Sequence, residues 1–431
     1  MRNATKMALA GAVALLSSRQ ATAQEAPGQL TLDQAVNLTL TRNERARISD
    51  LQVVVADAAA EKAFTAFLPI LSSTASGTQH ATSLPKATSN SGQAAVTLSQ
   101  PILNAPAFPL YAQAKKLADA QREQNVDDKR LLAFSAASAF FAVLNAQDVV
   151  TAAERQRDNA KANMTNTQAR AQAQLSSSND VTKAQVDLSG AQREVENDQG
   201  TLDNALVQLG FTLNAPVPTS LTPPRSTLDA AAKPAGAADT LVRFALDHRP
   251  DVRVARYEAG AAHDFASEPM LRLVPTLGLQ GQAVATSATS PITGRHDDET
   301  LTATLTWTLY DAGVRYADKH SRDAQAGIAD LNGQLLLRNV EAQVRSAVGL
   351  LAAAQLAFRD AGDAAKFARQ NVDETTILYK QGLATALELV DANDSRFTAE
   401  VNYATAEYAM AQAYLTLRQA LGLDALGTEL R

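Results

Sequence analysis

The side chains best suited to chemistry are few and scattered in this sequence. Its five histidines stand at positions 80, 248, 263, 296 and 320. None lies close enough to another to supply a ligand pair from one helix face, and no HExxH occurs. The run HDDE at 296–299 could offer carboxylates to a cation, but it falls in a predicted hairpin loop, where a solvated acidic stretch is the commoner outcome. Cysteine is absent, which removes disulfides, thiolate metal sites, a thiol nucleophile and a lipid-bearing N-terminal Cys. There is no GxSxG, P-loop or GxGxxG. The sequence thus points away from an enzyme and calls for no cofactor and no metal. The formal net charge of −6 argues against nucleic acid as the main partner.

The elements that this sequence writes are very long. From Leu110 to Leu175 there is neither proline nor glycine, a run of about 100 Å at the helical rise. From Val314 onward there is no proline, although Gly327, Gly333, Gly349 and Gly362 soften the pattern. Positions Val181, Ala184, Leu188, Ala191, Val195, Asp198, Leu202, Ala205 and Leu209 keep spacings of 3 and 4 over four heptads. That pattern is a coiled-coil seam, or the stripe of a helical bundle. With 5% aromatics and 46% hydrophobic residues, long helices with thin seams suit the composition better than one thick core.

The chain writes this plan twice. Asp33–Pro69 aligns without a gap on Asp239–Pro275 at an offset of 206; Leu98, Ile102, Asn104 and Ala105 fall on Leu305, Leu309, Asp311 and Ala312 at 207; Val181 and Leu209 fall on Leu389 and Leu417 at 208. Conserved order with a slowly drifting offset marks a duplication. Each copy reads helix, strand, loop, strand, long helix, turn, helix. The copies occupy 24–213 and 239–423, joined by a proline-rich linker at 214–238 and followed by a tail at 424–431. The first helix of each copy is expected at 31–67 and 237–272, ended by Pro69 and Pro275. Strands are expected near 70–80, 93–103, 276–286 and 299–310. The last is the clearest, with Leu301, Ala303, Leu305, Trp307 and Leu309 alternating against Thr300, Thr302, Thr304, Thr306 and Thr308. Polar hairpin loops are expected at 82–92 and 287–298, and tight helix–helix turns at 174–180 and 380–386.

Arg2 and Lys6, the apolar stretch at 7–16 and the small residues ATA at 21–23 read as a secretory signal over 1–23, with a helical N-terminal anchor as the other reading. No other segment has about 18 consecutive apolar residues, so membrane insertion would have to use strands. Strands enter a bilayer only as a closed barrel. The smallest such barrels use about eight strands, whereas one chain supplies four. Two chains would leave no water-filled passage; three would give twelve strands and begin to leave a lumen.

At this point the sequence resembles the TolC-type outer membrane efflux family. The resemblance rests on LSQPILNAP and LTWTLYDAG at the strand-to-helix junctions, LTLDQAVNLTLTRN at the start of the first copy and YKQGLATALELVDAN at 379–393. It covers nearly all of the mature chain. It implies a homotrimer: a mainly α chain giving a twelve-stranded barrel in outer membrane lipid, on an α-helical coiled-coil tunnel in the periplasm. It also implies a periplasmic adaptor and, through it, an inner-membrane transporter as partners, in tripartite efflux or type I secretion. By the same resemblance Glu388 and Asp391, three residues apart and so on one helix face, take the lumen-facing acidic positions of the periplasmic gate, where threefold symmetry would make each a ring of carboxylates; the other reading is a pair of solvated surface acids. Trp307 sits near the membrane boundary as an interfacial anchor or a packing residue. Asp180 and Tyr379 match positions that hold neighbouring coiled coils together, and Gly382 keeps the glycine of the second turn, which the first turn lacks. Ala384 stands where some members carry an arginine that locks the closed state; this tip is then either looser or closed by other contacts. The other reading is a periplasmic coiled-coil adaptor or scaffold that never inserts.

Overall fold

A computed structural model describes residues 29–79, 90–287 and 296–427. The expected signal segment, most of both hairpin loops and the end of the tail lie outside these residues. In chain order the elements are α1 (Leu32–Arg42), α2 (Glu44–Phe64), β1 (Ile70–Gln79), β2 (Asn90–Leu103), α3 (Ala107–Gln172), α4 (Ser178–Leu213), α5 (Arg225–Ala231), α6 (Ala238–His248), α7 (Pro250–Leu271), β3 (Thr276–Thr286), β4 (Asp297–Thr306), α8 (Val314–Lys380) and α9 (Ala386–Ala420). The two longest helices, of 66 and 67 residues, each span about 100 Å.

Four expectations are corrected. The opening helix of each copy is two helices, broken at Asn43 and at the equivalent Arg249. Pro250 forces the second break, because the residue before a proline is pushed to extended backbone. Asn43 makes the first: its side chain accepts from Arg45 N at 2.9 Å as an N-cap and donates to Thr212 O at 2.7 Å. The linker is also more regular than its prolines suggest. It contains α5, and Leu221 bridges to Leu30. Of the acidic run at 296–299, Asp297, Asp298 and Glu299 belong to β4 rather than to a loop. At its other end β4 stops at Thr306, so Trp307 and Leu309 lie beyond it.

The four strands form one antiparallel sheet in the order β1-β2-β3-β4. The register carries the period-two pattern across every strand. Leu71 pairs with Leu98, Leu98 with Gly281 and Gly281 with Leu301, while Val96 pairs with Ala283 and Leu305 with Leu277. The opposite face collects Ser72, Thr97, Gln282 and Thr300. A one-residue slip would exchange the two faces. A bulge falls between Pro101 and Leu103, where proline cannot donate to the ladder. Pairing leaves β1 and β4 as the edges, and both are exposed along their whole length.

The core is thin and lies where the short helices pack on the long ones. One cluster gathers Val36, Phe140, Phe141, Val143, Leu209 and Leu415; the other gathers Val252, Val340, Val344, Leu351 and Leu417. An 18-residue window of α3 is apolar enough to cross a membrane, with mean hydropathy 1.3, but 56% of it is buried within the protein. Its apolarity belongs to the first cluster. Two arginines hold the end of α9 against this core. Arg130, in an ion pair with Asp127 at 2.6 Å, donates to Gln419 O at 2.8 Å. Arg249, paired with Asp251 at 2.6 Å, donates to Ala420 O at 3.1 Å. Gly422 is required beside it: its φ is +80°, and a Cβ there would lie 2.9 Å from Arg249 Cγ.

Candidate functional site

The sequence-derived candidates concentrate at the two helix–helix turns far from the sheet, and both turns are built alike. In the second, Gly382 N–H donates to Tyr379 O at 3.1 Å and Leu383 N–H to Leu378 O at 2.8 Å. In the first, Gln174 N–H donates to Ala171 O at 2.9 Å and Leu175 N–H to Arg170 O at 2.8 Å. This crossed pattern ends a helix through one left-handed residue. Gly382 supplies it at φ +77°, and Gln174, 208 residues earlier, takes the same conformation at +61°. The missing glycine of the first turn is therefore a strained glutamine in the same geometry.

Both following helices start with a capping box, in which side chain and backbone satisfy each other's free groups. Thr385 N and Oγ1 donate to Glu388 Oε2 at 2.6 and 3.0 Å, and Glu388 N donates to Thr385 Oγ1 at 3.2 Å. In the first copy Ser177 N and Ser176 Oγ donate to Asp180 Oδ2, both at 2.9 Å, and Asp180 N donates to Ser177 Oγ at 3.2 Å. The backbone N–H of Thr385 and of Ser177 holds each carboxyl below its ordinary range. Glu388 and Asp180 are thus equivalent residues with a structural duty of their own, and both stay charged. Asp391 lies one turn beyond Glu388, exposed on α9. Ala384 donates its backbone N–H to Leu378 O at 3.3 Å. Tyr379, partly buried, receives the guanidinium of Arg170 at 5.0 Å from its ring centroid. A cation–π contact thereby joins the end of α3 to the end of α8.

Above the turns, α9 is tied to α3 at several levels. Gln156 Nε2 donates to Asp394 Oδ1 at 2.5 Å, and Tyr408 OH to Asp148 Oδ2 at 2.9 Å. Glu400, buried, pairs with Arg155 of α3 at 3.4 Å and Arg369 of α8 at 3.0 Å. Asp187 of α4 and Asp394 are pushed up, first by burial and, for Asp394, by the charges of Asp187 and Asp391. None of Arg170, Asp187, Asp394 or Glu400 stands out in the sequence. The only signal for them is a polar residue at a position flanking an apolar seam.

At the opposite end, Trp307 Nε1 donates to Leu273 O at 3.0 Å and the ring is 57% exposed. Phe64, Phe67, Phe108 and Tyr111 cluster at the first strand–helix junction, with centroids 4.9–6.2 Å apart, so an aromatic group marks that level in both copies. Among the described histidines, His263 meets Asp330 at 3.0 Å and His296 meets Thr286 O at 3.1 Å. No cluster of metal-ligating side chains occurs among the described residues.

A profile of the outer membrane efflux protein family matches residues 35–215 and again 241–423, one match over each copy. The chain belongs to the outer membrane efflux protein family. It is 24% identical over 419 residues to outer membrane protein TolC of Salmonella enteritidis, covering 92% of this chain and 84% of that protein. Among solved structures, CusC superposes with a TM-score of 0.80 at 18% identity, covering 91% of this chain and 92% of that one. The open state of the MtrE outer membrane channel of Neisseria gonorrhoeae gives 0.78 at 18%, covering 93% and 90%. Membership in the outer membrane efflux family places the sheet in the outer membrane and the long helices in the periplasm. It also makes the chain an efflux channel.

Proposed function

We propose that three copies of this chain form a passive exit duct: a twelve-stranded barrel continued by a periplasmic tunnel of α3, α4, α8 and α9. The observation that carries the reading is the four-stranded sheet itself. It is amphipathic in register across all four strands, yet both of its edges are unpaired. Lipid allows no open edge, so β4 of one copy pairs with β1 of the next until the barrel closes. Strands of 10 to 14 residues suffice to cross the bilayer. Leu71, Val96, Leu98, Leu301 and Leu305 then face lipid, the Thr and Gln rows face water, and Trp307 anchors the lower rim.

The turns at 173–177 and 381–385 become the periplasmic tips, where the hairpins of a periplasmic adaptor dock and couple the duct to an inner-membrane transporter. Threefold symmetry converts Glu388 and Asp391 into stacked carboxylate rings, which attract cations and resist anions. Since Glu388 is fixed by its capping box, the ring keeps its radius until α9 itself moves. The Arg170–Tyr379 contact takes over the closing duty for which Ala384 is unsuited. Energy and choice of cargo lie upstream. The test is single-channel recording from the detergent-purified protein in planar bilayers. Glu388→Ala with Asp391→Ala is expected to weaken the preference for K⁺ over Cl⁻; unchanged selectivity would remove both residues from the gate. Recovery of the mature chain as a soluble periplasmic monomer would sink the duct altogether and favour a scaffold.

A further inference from the structure

Between α3, α4 and α9, above the second tip, lies a cleft of about 450 Å³ lined by Gln156, Asn163, Asp187 and Asp394, with Val186 and Phe397 as its apolar parts. Arg193, Asn159 and Asn393 line it as well, but the buried polar atoms left without a partner in its lining are all acceptors. Asn163 is only 9% exposed, and its Oδ1 has no hydrogen-bond partner. Gln156 spends its amide N–H on Asp394 and leaves Oε1 unpartnered; Asp187 Oδ2 is unpartnered too. Apart from the Gln156–Asp394 bond, these acceptors have no donor: Asn163 Oδ1, Gln156 Oε1 and Asp187 Oδ2 all stand unpaired. Arg193 of α4 lines the cleft and Lys183 draws Asp187 down through its charge, but both are exposed and neither donates to these oxygens. Glu194 adds a third carboxylate to the lining. Buried acceptors left unpaired are costly, and a ligand rich in N–H donors relieves that cost.

We propose that this cleft binds a small organic dication, one ammonium held by Asp187, Asp394 and the Asn163 and Gln156 carbonyl oxygens, the other reaching Glu194. An ammonium fits better than a directly coordinated metal ion, because the carboxylates do not form a metal-ligating cluster among the described residues. The volume lies in the range of small-molecule sites, and Val186 and Phe397 suit a short alkyl chain. The charge state agrees: burial pushes both Asp187 and Asp394 up, the charges of Asp187 and Asp391 add to this at Asp394, and a bound cation would reverse it. Since α3 and α4 belong to the first copy and α9 to the second, the ligand ties the two hairpins together and opposes parting of the tips. That consequence rests on the duct reading; binding itself does not.

The test is equilibrium dialysis of the detergent-purified full chain against 1,4-diaminobutane, with its neutral N,N′-diacetyl derivative as control. The diamine is expected to saturate one site per chain and the diacetyl compound not to bind. Asp187→Asn and Asp394→Asn, which remove a repulsion and should fold, are each expected to weaken binding about tenfold or more through a lost charge-assisted bond. Asn163→Leu should weaken it severalfold, whereas Glu388→Gln should leave it within about twofold. Absence of saturable binding to the wild-type chain, or equal binding of both ligands, overturns the proposal without reference to any variant. Loss in Glu388→Gln but not in the cleft variants overturns it in favour of the aperture. Dialysis requires no conducting channel, so a failed duct and a failed site give different results.

Discussion

Replacing Gln174 by glycine should stabilise the first tip, and replacing Gly382 by glutamine should loosen the second by a similar amount. Both positions hold the left-handed conformation, at φ +61° and +77°, and nothing lies within 4 Å of a Cβ built at Gly382. Conformational strain, not collision, therefore sets the effect. A non-glycine residue there costs about 1–2 kcal/mol, and the extra freedom of glycine in the open state returns about 0.5–1 kcal/mol. The net difference is about 1 kcal/mol, or about fivefold in a local opening equilibrium. Amide hydrogen exchange reads it directly, because each turn is closed by one equivalent bond, Leu175 N–H to Arg170 O and Leu383 N–H to Leu378 O, both at 2.8 Å. Gln174→Gly should slow exchange at Leu175 about fivefold and leave Leu383 unchanged; Gly382→Gln should speed exchange at Leu383 and leave Leu175 unchanged. Equal exchange at Leu175 with and without Gln174 would refute the claim that strain is stored in this turn.

Acid should loosen both tips only below the ordinary carboxylate range. Asp180 and Glu388 are held below their usual values, so their capping boxes are at full strength above that range and fail as pH falls through the lowered values. Protection of the tip amides that drops already between pH 7 and 5, after correction for intrinsic rates, would contradict this. Glu400→Gln should lower thermal stability by about 1 kcal/mol rather than the 3–5 kcal/mol of a fully buried pair. Its partners Arg155 and Arg369 are 53% and 55% exposed and can turn to water; thermal melts in detergent measure it. Arg170→Ala should remove about 0.5–1 kcal/mol of cation–π attraction to Tyr379 and raise the open probability in single-channel records. In the sheet, Leu301→Arg should destabilise the folded barrel by about 2–4 kcal/mol in lipid refolding titrations while Thr302→Arg is tolerated, because only the first faces hydrocarbon.

Much of the architecture was legible because duplication repeats each signal. A strand as weak as β1, all Ser, Thr, Ala, Gly and Gln after Leu71, was readable only through its equivalent, β3. The long helices announce themselves by the absence of breakers between Leu110 and Leu175. The breaks at Asn43 and Arg249 were missed although both carry signals: an Asn one residue before an acidic first turn, and a proline at 250 whose effect falls on the residue before it. Both were masked by an apolar stripe that runs on across the break. Of the site, the turns were legible and the duties were not. Glu388 reads as a gate acid from its place in the motif, whereas its capping role depends on Thr385 reaching back to it. Asp187 and Asp394 could not be paired from sequence at all, because nothing in two separate seams says which polar flanks will meet across α3.

The duplication also explains how the ring can close. Within one chain the two copies meet in three places: β2 pairs with β3, and α3 packs on both α7 and α9. Exchange the copies in each contact and the partners become β4 with β1, α8 with α2, and α8 with α4. Apolar or unpaired surface stands free where these exchanged contacts would form. On α2, Ile48, Leu51, Val54 and Val55 are 53–69% exposed; on α8, Ile328, Leu331 and Leu335 are 49–62% exposed; on α4, Val207 and Phe211 are 66% and 75% exposed. A monomer has no reason to keep such stripes in water. In the proposed trimer they pair between neighbouring chains, so that six similar units surround one axis and each interface between chains repeats one already folded within a chain. The linker at 214–238, carrying α5 against α9, is then the one connection with no counterpart between chains. It makes alternate interfaces covalent, and it makes three chains rather than six the number that closes the duct.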